Sequence, residues 1–295
     1  MRKAFVIVNP KAGKTRSKTM LFDIVEELCK NSYTVNCAIS LYPGHAKELA
    51  QNAANEGYDL IVVSGGDGTL NEVTEGVFKS GKKTPIGYIP SGSTNDFALS
   101  AGISSNPKTA INDIVSGNDY LMDIGKFGDR YFNYIASFGA FTSVSYKTPQ
   151  ASKNALGHLA YIIEGIKDIG SITPCHIKME ADGKVYEGDY SFGAIGNSTS
   201  IGGLIKLKEE LVSLCDGVFE VILIKQPQNP VELSTIIHGL TFSDFQDPMF
   251  EFFKASKIKI TTDASFDWTL DGEFEKGKKE IEVSNINKAY ILRKR

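Results

Sequence analysis

The residues from Asp59 to Val73, DLIVVSGGDGTLNEV, are of types that could bind and transfer phosphate. An apolar run, Leu60–Val63, predicts a buried strand, and helical spacing of apolar residues resumes over Thr69–Phe78. Between these two patterns lie three glycines: Gly65, Gly66 and Gly68. Glycine lets the backbone turn tightly and approach a ligand closely, and the amides at a helix start can face an anion. The segment therefore predicts a loop that could cradle phosphate.

Asp67 is the acidic residue of this loop. A carboxylate beside a phosphate cradle can hold a metal between itself and the phosphates, or accept a proton during transfer. Either use points to nucleotide phosphates and phosphoryl transfer. The alternative from the residues alone is a glycine turn in which Asp67 caps the helix at Thr69 or Leu70.

A second glycine break follows another apolar run. Ile86–Ile89 predicts a strand, and Pro90-Ser91-Gly92 interrupts it. The next four residues bring small donors and a carboxylate to a predicted helix start: Ser93, Thr94, Asn95 and Asp96. Helix capping explains one or two such residues but does not need all four. We therefore expect this segment to contribute to the same site.

The end of the first predicted strand, Phe5–Val8, carries a third candidate group. The amide of Asn9 could bond a nucleotide, and Lys11 or Lys14 could offset phosphate charge. An Asn-Pro turn with surface lysines is the alternative.

Two different patterns of secondary structure divide the chain. Up to about Asp123, strand and helix patterns alternate, which implies a parallel sheet with right-handed crossovers and with ligands at the strand C-termini. Farther along, turn signals separate short runs rich in β-branched or aromatic residues. These predicted strands are Tyr131–Phe138, Ile177–Met179, Val185–Phe192, Val218–Ile224 and Ile258–Thr262. The predicted fold class is α/β, with an N-terminal parallel-sheet α/β nucleotide-binding domain and a C-terminal antiparallel β-sandwich domain.

The domain boundary is placed where the pattern changes, near Asp123–Lys126. Residues 1–124 are predicted to form the α/β domain, with the segment 284–295 returning to it, and residues 125–283 the β-sandwich domain.

Composition restricts the class of protein and its partners. The chain has 295 residues, 42% of them hydrophobic and 23% charged, as is typical of globular proteins. A formal net charge of −3 gives no overall attraction to nucleic acid, so no nucleic-acid partner is expected. The four cysteines have no metal-binding spacing and are interpreted as reduced core thiols of a cytosolic protein. No apolar run approaches membrane-spanning length, and a cytoplasmic protein is expected.

Four motifs carry a family resemblance, and they occur in order along essentially the whole chain. They are NPKAGK at Asn9–Lys14, SGGDGTLNEV at Ser64–Val73, PSGSTNDFA at Pro90–Ala98 and LDGE at Leu270–Glu273. Together they resemble the soluble bacterial diacylglycerol kinase family, which includes sphingosine and ceramide kinases. GGDG alone is less specific, since 6-phosphofructokinases and NAD kinases look similar there. The resemblance implies an NAD kinase-like or phosphofructokinase-like nucleotide domain, with ATP as phosphoryl donor and Mg²⁺ as cofactor.

The resemblance also implies roles for individual residues. The nucleotide contacts it implies are Gly66, Asp67, Gly68, Thr69, Ser93 and Asn95. The predicted nucleotide-binding set also includes Asn9, Lys11 and Gly65. The implied metal residues are Asp96, Asp123 and Asp216, the last for a second, structural Mg²⁺. Cys215 stands where an acid is frequent in the family, which weakens that second site, and an Asp-Gly hairpin is the alternative there.

Phosphoryl transfer to an alcohol also needs an acceptor for the hydroxyl proton. By the same resemblance, Asp271 is the predicted base, Glu273 is predicted to assist it through Mg²⁺ or water, and Asp67 is the rival base. From the residues alone, Asp271 and Glu273 would be exposed acids of an ordinary β-turn. Asp123 lies at the predicted domain junction, and a buried interdomain hydrogen bond is the alternative to its implied role in the metal network.

The implied activity is ATP-dependent phosphorylation of a membrane lipid, with diacylglycerol giving phosphatidic acid. The expected partners are the lipid and, transiently, the inner membrane surface, and a homodimer is the default oligomer. An apolar helix predicted at Ala155–Ile169 could cover the sandwich or line a lipid-accepting groove. Two alternatives stay open: a kinase of a soluble substrate related to the NAD kinases, and a non-catalytic nucleotide-binding protein.

Overall fold

The computed structural model describes residues 2–12, 16–92, 95–139, 173–201, 205–263 and 266–295. The chain divides into two compact units. Unit 1 consists of Met1–Ile124 and Asn287–Arg295, and unit 2 of Gly125–Ile286. The predicted helix at Ala155–Ile169 and the site residue Ser93 lie outside the described residues.

Unit 1 alternates strands and helices along the chain. Its elements are β1 (Arg2–Val8), α1 (Arg16–Lys30), β2 (Tyr33–Ile39), α2 (His45–Asn55), β3 (Leu60–Gly65), α3 (Asp67–Lys79), β4 (Ile86–Pro90), α4 (Asp96–Ser100) and α5 (Pro107–Ser116). β5 (Asn118–Phe127) leaves this unit, and β17 (Glu280–Lys294) returns to it. The strands β2, β1, β3 and β4 pair in that order and are parallel, so the predicted parallel sheet is confirmed.

Burial explains the position of β3 in the middle of this sheet. Every residue of β3 is buried, as its continuous apolar sequence predicts for a strand covered on both faces. Because parallel strands all end at the same edge, the residues after β1, β3 and β4 are neighbours. Two backbone bonds show this: Asn9 N–H donates to the carbonyl of Ser64 at 2.9 Å, and Ser91 N–H donates to that of Gly65 at 2.8 Å.

Unit 2 is built from antiparallel strands. They are β6 (Arg130–Phe132), β7 (Ile135–Gly139), β8 (Cys175–Ala181), β9 (Lys184–Gly196), β10 (Ser200–Ile201), β11 (Ile205–Lys206), β12 (Phe219–Lys225), β13 (Phe250–Ala255), β14 (Lys257–Thr262), β15 (Trp268–Leu270) and β16 (Glu273–Glu275). The first half of β9 pairs with β8, and its second half pairs with β7 and β12. This long strand therefore joins two layers, which enclose a core that includes Phe138, Phe219 and Trp268. The predicted antiparallel sandwich is confirmed.

Three expectations about local structure are wrong. A helix, α6 (Pro230–Phe242), lies in unit 2, where the sequence pattern predicted strands apart from one helix at Ala155–Ile169. The predicted strand Tyr131–Phe138 is interrupted between β6 and β7. Three of the four cysteines are exposed, not in the core, because Cys29 and Cys37 lie on outer faces and Cys215 lies near a turn.

Within the described residues, no helix combines the length and the apolar character needed to cross a bilayer.

Candidate active site

The end of β1 is tied to the start of α3 through Asn9. Its Nδ2 donates to Oγ1 of Thr69 at 2.8 Å, and its Oδ1 accepts the N–H of Lys11 at 3.0 Å. Thr69 is almost completely buried, whereas Lys11 is exposed. Asn9 therefore fixes the loop after β1 against the glycine loop and leaves the lysine at the surface.

The glycines allow two loops to approach each other closely. A Cβ on Gly92 would lie 2.7 Å from Cα of Gly66, and a Cβ on Gly65 would lie 2.6 Å from Cβ of Thr69. Side chains at these positions would collide with backbone or with a buried neighbour. Gly66 is the N-cap of α3, its cap makes no side-chain hydrogen bond, and Gly68 lies in the first turn. The helix start can therefore present its amides to an anion.

The carboxylate of Asp67 is the electrostatic centre of this region. Its Oδ2 accepts the N–H of Asp96 at 3.0 Å, so it stands at the start of α4 while its own residue begins α3. Both helix starts favour a negative charge there. The alternative prediction, that Asp67 caps its own helix, is wrong. The sequence did not predict that this residue would connect the two glycine loops.

Burial, and after it the negative charge of Asp96, raise the pKa of Asp67 to about 6, against the lowering effect of the N–H donors of α4 and of the Tyr88 hydroxyl. Only 9% of Asp67 and 8% of Asp96 are exposed. Two acids share a desolvated site, and a cation there would relieve their repulsion.

Tyr88 is a site residue that the sequence analysis did not predict. Its hydroxyl lies 3.4 Å from Oδ1 of Asp67, and the signal for it was a polar-tipped ring in an otherwise apolar strand.

Asn95 closes the loop that follows β4. It has a left-handed backbone, with φ of 53°, and its Oδ1 accepts the N–H of Gly92 at 2.9 Å. Its Nδ2 donates to the carbonyl of the same glycine at 3.1 Å. The hydroxyls of Ser64 and Ser91, at the ends of β3 and β4, are buried and have no hydrogen-bond partner within the described part of the chain. Buried hydroxyls normally have partners, so a ligand or water is expected at this edge.

Asp123 is used within unit 1 to hold the returning strand. Only 1% of it is exposed, and its Oδ1 accepts the side-chain amide of Asn287 at 3.0 Å and the N–H of Lys288 at 2.7 Å. Lys288 has a positive φ of 53°, which marks a bend in β17. Asp123 is therefore a buried hydrogen-bonding residue, but these two bonds lie within unit 1 and are not the interdomain bond that the alternative expected.

In unit 2, Asp271 organises the turn that interrupts the first predicted strand. Its carboxylate accepts three backbone N–H groups, from Asn133 at 2.6 Å, Tyr134 at 3.0 Å and Ile135 at 3.1 Å. Asp271 and Gly272 both have positive φ and form the two-residue turn between β15 and β16. Asp271 is only 5% exposed, so the alternative of two exposed turn acids is wrong for this residue.

The other two predicted site acids of unit 2, Glu273 and Asp216, have cationic partners. Glu273 lies 3.2 Å from a guanidinium nitrogen of Arg130, which also binds Glu275 at 2.9 Å. Both side chains of the Arg130–Glu273 pair are largely exposed, so this pair contributes little stability. Asp216 lies 3.5 Å from the ammonium of Lys254.

A magnesium ion fits the residues of unit 1 only together with phosphate. The described residues contain no cluster of three or more His, Cys, Asp or Glu side chains suited to a metal. Mg²⁺ at phosphoryl-transfer sites is commonly held by one or two carboxylates, with substrate phosphates and waters as the other ligands. Asp67 and Asp96 are such a pair, and they lie beside the helix start that could receive the phosphates.

Comparison with known proteins matches both units to families. Residues 3–127 match the model described as "Diacylglycerol kinase catalytic domain", and residues 135–284 match "YegS C-terminal NAD kinase beta sandwich-like domain". A diacylglycerol kinase of Bacillus subtilis is 30% identical over 275 residues, which cover 93% of this chain and 90% of the relative. One of Staphylococcus carnosus is 31% identical over 274 residues, covering 92% and 89%. The chain belongs to the diacylglycerol kinase family.

Solved structures agree with this family in fold. A crystal structure of a diacylglycerol kinase from Bacillus anthracis aligns with a TM-score of 0.76 and 23% identity, over 100% of this chain and 97% of that one. At such low identity the alignment supports the fold alone. In this member of the diacylglycerol kinase family, the strand ends of unit 1 bring together most of the predicted nucleotide residues and two acids: Asn9, Gly65, Gly66, Asp67, Gly68, Thr69, Asn95 and Asp96. Asp216, Asp271 and Glu273 belong to unit 2.

Proposed function

We propose that this chain is a lipid kinase that transfers the γ-phosphoryl group of ATP to the hydroxyl of a membrane lipid, with diacylglycerol as acceptor and phosphatidic acid as product. The observation that carries the proposal is the buried carboxylate of Asp67, held at the starts of both α3 and α4. Helix starts attract phosphate, and phosphoryl transfer depends mainly on positioning and on stabilising charge. Membership of the diacylglycerol kinase family supports the acceptor class.

Nucleotide binding is assigned to the loops at the C-terminal edge of the sheet in unit 1. The start of α3, Gly66 to Thr69, would face the phosphates, and Asn9 would keep this loop in register through its bond to Thr69. Lys11, which is exposed beside them, would offset phosphate charge. Ser93 and Asn95 complete the proposed nucleotide contacts.

Asp67 and Asp96 would hold Mg²⁺ together with the ATP phosphates, and the ion would neutralise charge on the transferred group. Before binding, burial and then repulsion by Asp96 disfavour the ionised Asp67, which is why its pKa is raised. Asp123 would support the site by fixing β17, the neighbour of β4 in the sheet.

Asp271 is proposed as the acceptor of the hydroxyl proton, with Glu273 assisting and Asp67 as the rival. The three N–H donors to Asp271 fix its orientation, as a positioned base requires. The raised pKa of Asp67 is the argument for the rival, since a base works best with a pKa near the operating pH. The pH dependence of the rate in Asp67→Asn and Asp271→Asn separates the two candidates. Protonation of the base makes the rate fall at low pH, so this fall should be absent from the remaining activity only in the variant that lacks the base.

The proposed setting is the cytoplasm, with transient contact at the inner membrane surface when the lipid is taken up. A homodimer is part of the proposal as the default oligomer. Sedimentation with vesicles, and equilibrium sedimentation of the protein alone, test the membrane contact and the dimer separately.

The deciding experiment incubates the protein with labelled ATP, Mg²⁺ and mixed micelles that contain one candidate lipid each. Diacylglycerol, a sphingoid base and phosphatidylglycerol form the lipid panel, NAD serves as the soluble acceptor, and mass spectrometry identifies the product. We expect phosphatidic acid from diacylglycerol, and a rate lower by orders of magnitude in Asp67→Asn. Asp113→Asn, on α5 outside the glycine loops, is the matched control and should keep its rate. Phosphorylation of NAD alone, or ATP binding without any product, would refute the lipid kinase.

A further inference from the structure

The Asp216-Gly217 turn of unit 2 is where the family resemblance implies a second, structural Mg²⁺. In the structure, the cation beside this turn is the ammonium of Lys254. Oδ2 of Asp216 lies 3.5 Å from Nζ of Lys254, and the side chain of Asp216 is 33% exposed. Its Oδ1 accepts the N–H of Val218 at 3.3 Å. Both carboxylate oxygens therefore already have partners from the chain.

The same ammonium forms an ion pair with a second carboxylate, which is completely buried. Glu220 on β12 is directly opposite Lys254 on β13 in the antiparallel register. Nζ of Lys254 lies 3.0 Å from Oε1 of Glu220. Among the described residues, neither oxygen of Glu220 has a hydrogen bond of good geometry, so the ion pair is its compensation. Burial raises the pKa of Glu220 to about 7 even though Lys254 opposes that rise.

A divalent metal does not fit this arrangement. A structural Mg²⁺ or Ca²⁺ needs six or more oxygen ligands, and an ammonium beside those ligands would repel it. Cys215, the residue before Asp216, supplies no oxygen ligand from its side chain. The described residues near the turn form no cluster of three metal-ligating side chains.

We propose that Lys254 is the resident cation of this turn, neutralising Asp216 and the buried Glu220 in place of a structural divalent ion. The long lysine stem lets one charge reach both the partly exposed acid and the buried one. Above the pKa of Glu220, removal of the ammonium would leave an ionised carboxylate buried without a partner, which is strongly destabilising. This inference concerns the stability of unit 2 and does not depend on the proposed phosphoryl transfer.

The test compares thermal unfolding of the wild type, Lys254→Met and Asp216→Asn without nucleotide, in EDTA and in MgCl₂, at pH 8, where Glu220 is ionised in the wild type. Lys259→Met is the matched control, because Lys259 is a similarly exposed strand lysine whose partner, Glu280, is also exposed, at 3.9 Å. We expect Lys254→Met to lower the unfolding midpoint by about 5–10 °C, and Lys259→Met to change it by about 2 °C or less. The wild-type midpoint should be the same in EDTA and MgCl₂. A rise in MgCl₂ of equal size in the wild type and Asp216→Asn would come from another site and agrees with the inference.

Two results would overturn it. One is a MgCl₂-dependent rise in the wild type that disappears in Asp216→Asn, and the other is a Lys254→Met midpoint no lower than that of Lys259→Met. If Lys254→Met yields no folded protein, Mn²⁺ binding measured by electron paramagnetic resonance decides between the remaining proteins. Equal Mn²⁺ stoichiometry in the wild type and Asp216→Asn supports Lys254 as the cation, and one fewer ion in Asp216→Asn refutes it.

Discussion

Replacement of Asp67 by asparagine should stabilise the protein at neutral pH while it removes activity. Burial and Asp96 raise the pKa of this carboxyl from 3.8 to about 6 in the folded state. Between these values the unfolded chain gives up its proton more readily than the folded one, so stability falls as pH rises through this range. The free-energy cost of ionising the buried Asp67, which we call the penalty, is absent below pH 3.8 and complete above pH 6.

The size of the penalty follows from the shift. At 1.36 kcal/mol per pKa unit, the ionised Asp67 costs roughly 3 kcal/mol at pH 8 and about half of that at pH 5. Asparagine at this position keeps an oxygen for the N–H of Asp96 but carries no charge. Asp67→Asn should therefore be more stable than the wild type, with a margin that grows by about 1.5 kcal/mol from pH 5 to pH 8.

Urea unfolding at pH 5 and pH 8, without Mg²⁺ and nucleotide, measures this margin. Asp113→Asn, which alters a carboxyl outside the glycine loops, should show no comparable growth. Equal margins for Asp67→Asn at the two pH values, or a variant less stable than the wild type at pH 8, would refute the electrostatic account of this site. Addition of Mg²⁺ and ATP should narrow the margin, because the cation compensates the wild-type carboxylates.

Three further substitutions test the scaffold of unit 1. Asp123→Ala should lower the free energy of unfolding by about 2–4 kcal/mol, as urea denaturation would show, because two donors of the β17 bend lose a charged acceptor. An unchanged stability would mean that water replaces the carboxylate. Gly92→Ala should cost about 1–3 kcal/mol and weaken ATP binding in calorimetry, because its Cβ would lie 2.7 Å from Cα of Gly66; wild-type affinity would contradict the close packing of the loops. Asn9→Ala should raise the KM for ATP several-fold with a smaller effect on folding, since the bond to Thr69 is lost; an unchanged KM would show that Asn9 does not position the loop.

The sequence predicts the architecture well because its signals are local and repeated. The all-apolar β3 and the glycine breaks after β3 and β4 indicate a parallel sheet and the edge where its loops meet. In contrast, the sequence pattern does not predict α6. Asn229 and Pro230 are ordinary signals of a helix start, but they lie among segments whose pattern predicts strands.

The candidate site was predictable as a set of residues but not as a set of bonds. Asp67 reaches α4, 29 positions farther along the chain, and no spacing rule indicates such a contact. Asp271 likewise accepts N–H groups from residues 136 to 138 positions earlier. These contacts depend on how strands pair across the fold, which the sequence pattern does not specify.

The route of β17 has a consequence for synthesis on the ribosome. Most of unit 1 precedes unit 2 along the chain, but its sheet receives Leu292 beside Ile86 of β4 from residues 287–295, which follow unit 2. Until residues 287–295 have emerged, one side of β4 lacks this parallel neighbour, and unpaired strand edges invite association with other chains. A nascent chain of this protein would thus gain most from chaperone protection while unit 2 is still being translated.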